Sequence, residues 1–216
     1  MIARIEEVAG ILHLEIEHKK CSMPYKPLII LVDNEASDTA ADLAKRFPVT
    51  LRRDGVTLLA DFVRSRKPVR WLSLTNPNGF NGARTGTLDV QEGRASYAPR
   101  SSGVPTRLKG NQRPEVAGMI VIVDGKQMAD VSLEALSDYI SFVAFANPRQ
   151  GGETPATSVM SLFDNGKDAS VTEALTSDDL SYLQALYATA VDSLGQTQRN
   201  SIVSSMVRTD RKSRQP

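Results

Sequence analysis

The chain has 216 residues, 41% of them apolar and 24% charged, which is the composition of a globular protein and not of a disordered one. Its net charge of +1 gives no electrostatic reason to expect a nucleic-acid or anionic-membrane partner. The single cysteine, Cys21, excludes an intrachain disulfide and a cysteine-rich zinc site.

The N-terminal region gives mixed signals. Its apolar residues fit a helix at first and then alternate as in a strand, so we treat residues 1–24 as an N-terminal extension. Charged residues lie where a signal peptide would have its apolar segment, and the sequence therefore predicts no export signal. No uncharged apolar run reaches the roughly 18–20 residues that a membrane span needs.

A strand followed by a helix is predicted next. Residues 26–33 contain a continuous apolar run, which predicts a strand buried on both faces. Ser37 or Asp38 can cap a helix that ends before Pro48. The apolar face of this helix is formed by Ala40, Leu43, Ala44 and Phe47.

The next elements are less regular. The pattern predicts a helical segment over residues 57–65 and a second strand over 68–75. Asn and Gly residues predict turns within 76–82, followed by a short edge strand over 85–90.

Residues 91–114 are predicted to form a basic, loop-rich segment. Its cations are Arg94, Arg100, Arg107, Lys109 and Arg113. Single-stranded nucleic-acid sites stack bases on aromatic side chains, and this segment offers Tyr97 alone. We therefore expect a solvated surface loop, and a nucleic-acid partner is the less favoured alternative.

The most apolar stretch runs from residue 119 to residue 148. Met119–Val123 predicts a buried strand, and Asp124 with the following Gly predicts a tight turn. Ser132 can cap a helix over residues 132–147 that is apolar on several sides, which predicts packing on several sides. Asn147 and the proline after it end that helix.

Shorter elements follow. Residues 157–163 are apolar, and Thr176 with Asp179 has the spacing of a capping box at the start of another helix. A last amphipathic helix is predicted over 196–206, and residues 208–216 are predicted to be a flexible basic tail.

No pattern in the sequence indicates catalysis. A zinc-peptidase helix needs two His four residues apart, whereas His13 and His18 are five apart. Neither a nucleophile elbow nor a phosphate-binding loop is present, and the acids around Asp164 lack the spacing of a calcium loop. A dyad of Cys21 with either His lacks an environment that stabilises a thiolate. We predict no catalytic residue, no metal ligand and no cofactor.

The order of elements in the C-terminal half resembles a known group of proteins. Residues 119–125 read Met-Ile-Val-Ile-Val-Asp-Gly, and residues 133–146 read Leu-Glu-Ala-Leu-Ser-Asp-Tyr-Ile-Ser-Phe-Val-Ala-Phe-Ala. Residues 175–188 read Leu-Thr-Ser-Asp-Asp-Leu-Ser-Tyr-Leu-Gln-Ala-Leu-Tyr-Ala. This succession is similar to that of mostly exported bacterial proteins with a zincin-like, degenerate metallopeptidase plan.

The resemblance implies an α+β fold in which helices cover a small mixed sheet around a buried central helix. It also implies a periplasmic or exported location, although the chain shows no signal peptide. Where active zincins have His-Glu-x-x-His, residues 136–140 read Leu-Ser-Asp-Tyr-Ile. We therefore expect one domain over residues 25–207 that acts as a non-catalytic binding or structural protein of the bacterial envelope, with an unidentified protein as a conceivable partner.

The alternative is a hydrolase that uses a cleft beside helix 132–147. Its candidate groups are Asp138, Tyr139 and Arg107, although polar residues on a helix more often contact solvent or a neighbouring helix. A third hypothesis, nucleic-acid binding through the basic loop and tail, predicts strongly salt-dependent binding.

Overall fold

The computed structural model of the chain describes residues 1–16, 27–47, 56–79, 86–91, 94–99, 112–164, 172–189 and 195–213. Within them the fold is α+β, as predicted. The helices are α1 (Ile2–Ile11), α2 (Ala36–Arg46), α3 (Val56–Arg64), α4 (Leu133–Ala146), α5 (Ser177–Ala188) and α6 (Gly195–Ser213). The strands are β1 (Leu28–Asp33), β2 (Val69–Gly79), β3 (Gly86–Gln91), β4 (Arg94–Pro99) and β5 (Gln112–Asp124). Two 3₁₀ helices span Gly125–Gln127 and Val159–Phe163.

The chain forms two compact units. The first combines residues 1–18 with 128–216, and the second comprises 19–127. The strand and the helix of the most apolar stretch, β5 and α4, therefore belong to different units. These limits differ from the boundaries at residues 24 and 207 predicted from the sequence, which stay predictions.

The second unit contains a three-stranded mixed sheet with the order β1-β5-β2. Strand β1 is parallel to β5, with Asp33 opposite Asp124, and β2 is antiparallel to β5. The central strand is buried on both faces, because neighbouring residues such as Ile122 and Val123 are both fully buried. The prediction of two buried faces was wrong for β1. Among the described strands it pairs only with β5, and Val32 is 67% exposed.

Helices α2 and α3 pack on one face of this sheet. Their core cluster consists of Ala36, Ala40, Leu59, Phe62, Leu72 and Ile122. The two alanines let α2 lie close to the sheet, and the larger side chains contribute about 1.5–3 kcal/mol each through burial. Helix α3 forms where the pattern predicted it, over 57–65. The apolar face predicted for α2 is shorter than expected, because Phe47 lies beyond the helix and is 53% exposed.

Two predictions on the second unit need correction at particular residues. The turn predicted within 76–82 is strand up to Gly79, because β2 continues to pair with the first residues of β5. The segment predicted to be loop-rich, 91–114, contains β4, which pairs with β3, and the start of β5 at Gln112. Its residues 92–93 and 100–111 lie outside the described residues. At residues 76–79, backbone pairing with the distant strand β5 outweighs the local turn preference of Asn, Gly and Pro. At residues 94–99, β4 pairs with β3, the strand directly before it in the chain. The edge strand predicted over 85–90 is confirmed as β3.

The first unit is built around α4. Every residue from Ala135 to Val143 is buried, which confirms the prediction of a buried central helix. The oxygen of Ser132 accepts a hydrogen bond from the Ala135 amide at 3.0 Å and caps the helix as predicted. Leu133 is 63% exposed, because it lies in the first turn before the buried part of the helix begins.

The ends of the chain are helical. The mixed pattern at the N-terminus forms α1, which packs against α4 and buries Ile5, Val8 and Ala9. Residues 208–213 were predicted to be tail and are the last residues of α6. This helix packs against α5.

The C-terminal end of α4 provides a test of backbone conformation. Asn147 has φ 46° and ψ 53°, the left-handed conformation, and its amide donates to the Val143 carbonyl at 2.9 Å. Asn tolerates this conformation and alanine does not. We expect Asn147→Ala to lower the free energy of unfolding by about 1 kcal/mol. Asn147→Gly should change it by less than about 0.5 kcal/mol, and equal losses in the two variants, measured by urea unfolding, would contradict this assignment.

Candidate functional site

Asp138 is one of the residues predicted to line a cleft, and it lies inside the first unit. It is 5% exposed, and its carboxylate faces α1, where Nε and Nη2 of Arg4 both donate to it. The Leu175 amide, just before α5, donates to Oδ2 at 2.8 Å. Asp138 therefore connects α1, α4 and the segment that leads into α5.

The guanidinium of Arg4 is shared between two acids. Its Nη1 lies 2.8 Å from a carboxylate oxygen of Glu7, which is more exposed than Asp138. Hydrogen bonds to Asp138, and then to Glu7, raise the pKa of Arg4 above its ordinary value. The arginine therefore carries its positive charge at neutral pH, and its contact with Asp138 is an ion pair.

Tyr139, the second candidate, has a different environment. Its ring is fully buried and meets Phe163 edge to face, with ring centroids 4.8 Å apart. Burial, and then the charge of Asp164, raises the pKa of Tyr139 above its ordinary value. The phenol is therefore protonated at neutral pH and is poorly suited to act as a base. Arg107, the third candidate, lies outside the described residues.

A second buried carboxylate, Asp179, links the start of α5 to the 3₁₀ helix. The predicted capping box with Thr176 is confirmed. In addition, the Ser158 hydroxyl donates to Asp179 at 2.6 Å and the Val159 amide donates at 2.8 Å. The sequence did not reveal this second contact, because Ser158 lies 21 positions away and a capping box is read from four consecutive residues.

In the second unit, polar groups gather where β1 and β5 end. The parallel register places Asp33 opposite Asp124. Asp33 accepts a hydrogen bond from the Glu35 amide at 3.0 Å and another from the Thr39 hydroxyl. Asp124 accepts from the Lys126 amide at 3.1 Å and from the Gln127 side chain at 2.7 Å.

Arg70 lies at the same end of the sheet and is buried. It is 1% exposed, and its Nη2 donates to the Ser37 hydroxyl at 3.2 Å. Nε and Nη1 are buried and make no hydrogen bond. Burial lowers the pKa of Arg70, and the charge of Asp124 partly offsets this effect. Arg70 was not among the site residues predicted from the sequence, although a charged residue within an apolar strand was a usable signal.

Comparison with known proteins identifies no relative. No protein-family model, curated protein or solved structure matches the chain. Within the described residues, no group of three or more His, Cys, Asp and Glu side chains could hold a metal ion. In the same part of the chain, no helix is both long enough and apolar enough to cross a membrane. The arrangement around Asp138 can connect helices, and the guanidinium of Arg70 has donors that can bind an anion.

The buried charge pair can be tested against a more exposed one on the same arginine. Asp138→Ala leaves Arg4 and the Leu175 amide without their acceptor, and we expect it to lower the free energy of unfolding by about 3 kcal/mol. Glu7→Gln removes the more exposed contact and should cost about 0.5 kcal/mol or less. Urea unfolding followed by circular dichroism measures both values, and similar losses would show that Asp138 is not a principal connection.

Asp33 predicts a pH dependence of stability. The Thr39 hydroxyl, and then the Glu35 amide, lowers the pKa of Asp33 below its ordinary value of 3.8. Its contribution is therefore complete above the unfolded-state pKa and is lost as the pH falls through the folded-state pKa. We expect the stability difference between wild type and Asp33→Asn to be constant above about pH 5 and to shrink in more acidic solution.

The cause of that shift can be checked separately. Thr39→Val removes the hydroxyl and leaves the backbone hydrogen bond, so the pKa of Asp33 should rise toward 3.8. A carboxyl-detected NMR titration of wild type and Thr39→Val measures the change. An unchanged pKa would contradict the assigned cause.

Proposed function

We propose that the protein is a non-catalytic binding or structural protein of the bacterial envelope, with a degenerate zincin-like plan. The envelope location and the zincin-like plan are taken from the resemblance of the C-terminal half. The environment of α4 supports the non-catalytic role. The proposal rests on the Asp138 carboxylate, which accepts hydrogen bonds from Arg4 and from the Leu175 amide within the first unit.

A catalytic helix has to present its polar side chains to substrate. In a zinc peptidase, the metal ligands and the general base lie on one accessible helix face. In this chain, the corresponding positions 136–140 are all buried. Asp138 would have to lose its contacts with Arg4 and the Leu175 amide before it could accept a proton from a substrate. These contacts favour a structural role for the residue.

Tyr139 supports the same proposal. Its ring contact with Phe163 places it in the apolar part of the unit, and its raised pKa opposes deprotonation near neutral pH. A residue in this environment stabilises packing more readily than it transfers protons. The two described members of the predicted cleft thus have structural contacts that explain their burial.

Hydrolysis assays on the full-length chain test the non-catalytic role. Metal content is measured on the purified protein, and peptide, ester and phosphodiester substrates are supplied with and without added zinc. We expect no turnover that depends on Asp138 or Tyr139. Turnover that falls at least 100-fold in Asp138→Asn, with the circular dichroism spectrum of the wild type retained, would overturn the proposal in favour of the hydrolase.

Tyr139→Phe is the matched variant for the second candidate. It keeps the ring and its contact with Phe163 while removing the hydroxyl, so folding should persist. Stoichiometric zinc together with peptide hydrolysis would also overturn the proposal. Fractionation of the native cells tests the location separately, and recovery of the full-length protein in the cytosol alone would contradict the envelope assignment.

A further inference from the structure

We propose that Arg70 and the first turn of α2 form a binding site for a small, singly charged oxyanion, such as the carboxylate group of an organic acid. This site lies in the second unit. It does not depend on the non-catalytic role proposed above, which rests on residues of the first unit.

The site lies where ligands commonly bind to sheets that contain parallel strands. Strands β1 and β5 are parallel, and α2 begins directly after β1. Arg70 is the second residue of β2 and lies opposite Ile122, close to the end of β5. Arg70 and the N-terminus of α2 are therefore at the carboxyl ends of the parallel strands, the general position of ligand sites in open α/β sheets.

Arg70 has unused hydrogen-bonding capacity. A guanidinium carries five N–H donors in a planar arrangement that fits the two oxygens of a carboxylate. Here Nη2 donates to Ser37, while Nε and Nη1 have no protein acceptor although both are buried. A buried charge with unsatisfied donors is costly, and an oxyanion that accepts from them would remove part of this cost.

The first turn of α2 provides further N–H donors near the protein surface. The N-cap residue, Glu35, makes no side-chain hydrogen bond to the first turn. The amides at the start of a helix attract anions through their N–H groups and the helix dipole. Ser37 is itself exposed, so the guanidinium lies one hydrogen bond below the protein surface.

The surrounding charges select a singly charged ligand. The carboxylates of Asp33 and Asp124 accept hydrogen bonds from their own neighbours, and Glu35 forms an ion pair with Lys126. Asp38, in the first turn of α2, is a fourth acidic residue. The four acids outnumber the two cations of this region, Arg70 and Lys126. A dianion would meet more repulsion here than a monoanion, which favours a carboxylate over doubly charged phosphate.

A purely structural role for Arg70 makes a different prediction. If the arginine served only to balance the nearby charge of Asp124, replacing it would destabilise the fold and added carboxylate would have no effect. If Arg70 is a ligand-binding group, its replacement by an apolar residue of similar length should be neutral or stabilising in the absence of ligand.

The test titrates acetate into the full-length protein at constant ionic strength, with chloride as the reference salt. Thermal unfolding and ¹H–¹⁵N NMR are the measurements. We expect acetate to raise the melting temperature relative to chloride and to shift the Nε–H resonance of Arg70 and the first-turn amides of α2 saturably. No saturable shift in the wild type would overturn the proposal without reliance on any variant.

Arg70→Met should unfold in chloride at or above the wild-type temperature and should bind acetate at least tenfold more weakly. Arg46→Met is the matched control, because Arg46 lies at the other end of α2 with a 70% exposed side chain, and it should respond to acetate as wild type does. An equal acetate response in Arg70→Met and wild type would overturn the site.

Arg70→Lys keeps the positive charge but loses the planar donor arrangement, and it should bind acetate at least fivefold more weakly. Phosphate is titrated at pH 8, where it is mainly doubly charged, and we expect weaker binding than for acetate. Tighter binding of phosphate than of acetate at that pH would overturn the assignment to a singly charged ligand.

Discussion

The buried helix α4 imposes one requirement on the first unit, namely that the carboxylate of Asp138 must have partners inside the protein. An unpaired buried charge costs several kcal/mol, which is a large part of the stability of a typical domain. Arg4 and the Leu175 amide meet this requirement from 134 and 37 positions away in the chain. The positions of α1 and of the segment before α5 are therefore set by a polar contact as well as by apolar packing.

Most local signals were predicted well from the sequence, although the N-cap of α2 is Glu35 and not Ser37 or Asp38 as predicted. Ser132, the Thr176–Asp179 capping box and Asn147 were all assigned correctly, because each of these helix ends is determined by a few neighbouring residues. The turn expected after the second strand was predicted poorly. Residues 76–79 have strong turn preferences, yet they extend β2 because its partner in β5 lies more than 30 positions further along the chain. Pairing over that distance cannot be read from a local pattern.

The candidate sites show the same limit. The sequence placed Asp138 and Tyr139 on a helix that it correctly described as buried, but it did not identify Arg4 or Phe163 as their contacts. Those contacts arise from packing between elements that are distant in the chain. Arg70 is a different case, since its charge within an apolar strand was visible. Its role as a site residue also depends on Ser37, and the connection from β1 to α2 brings Ser37 next to Arg70.

The order of the two units along the chain has a consequence for biosynthesis. The first unit is discontinuous, because residues 19–127 of the second unit lie between α1 and α4. Helix α1 therefore leaves the ribosome long before its partner helix, and at roughly 5–20 residues per second the delay is on the order of ten seconds. During that time Ile5 and Val8 lack the helix against which they are buried. The burial of α1 is therefore completed only after the whole second unit and α4 have been synthesised.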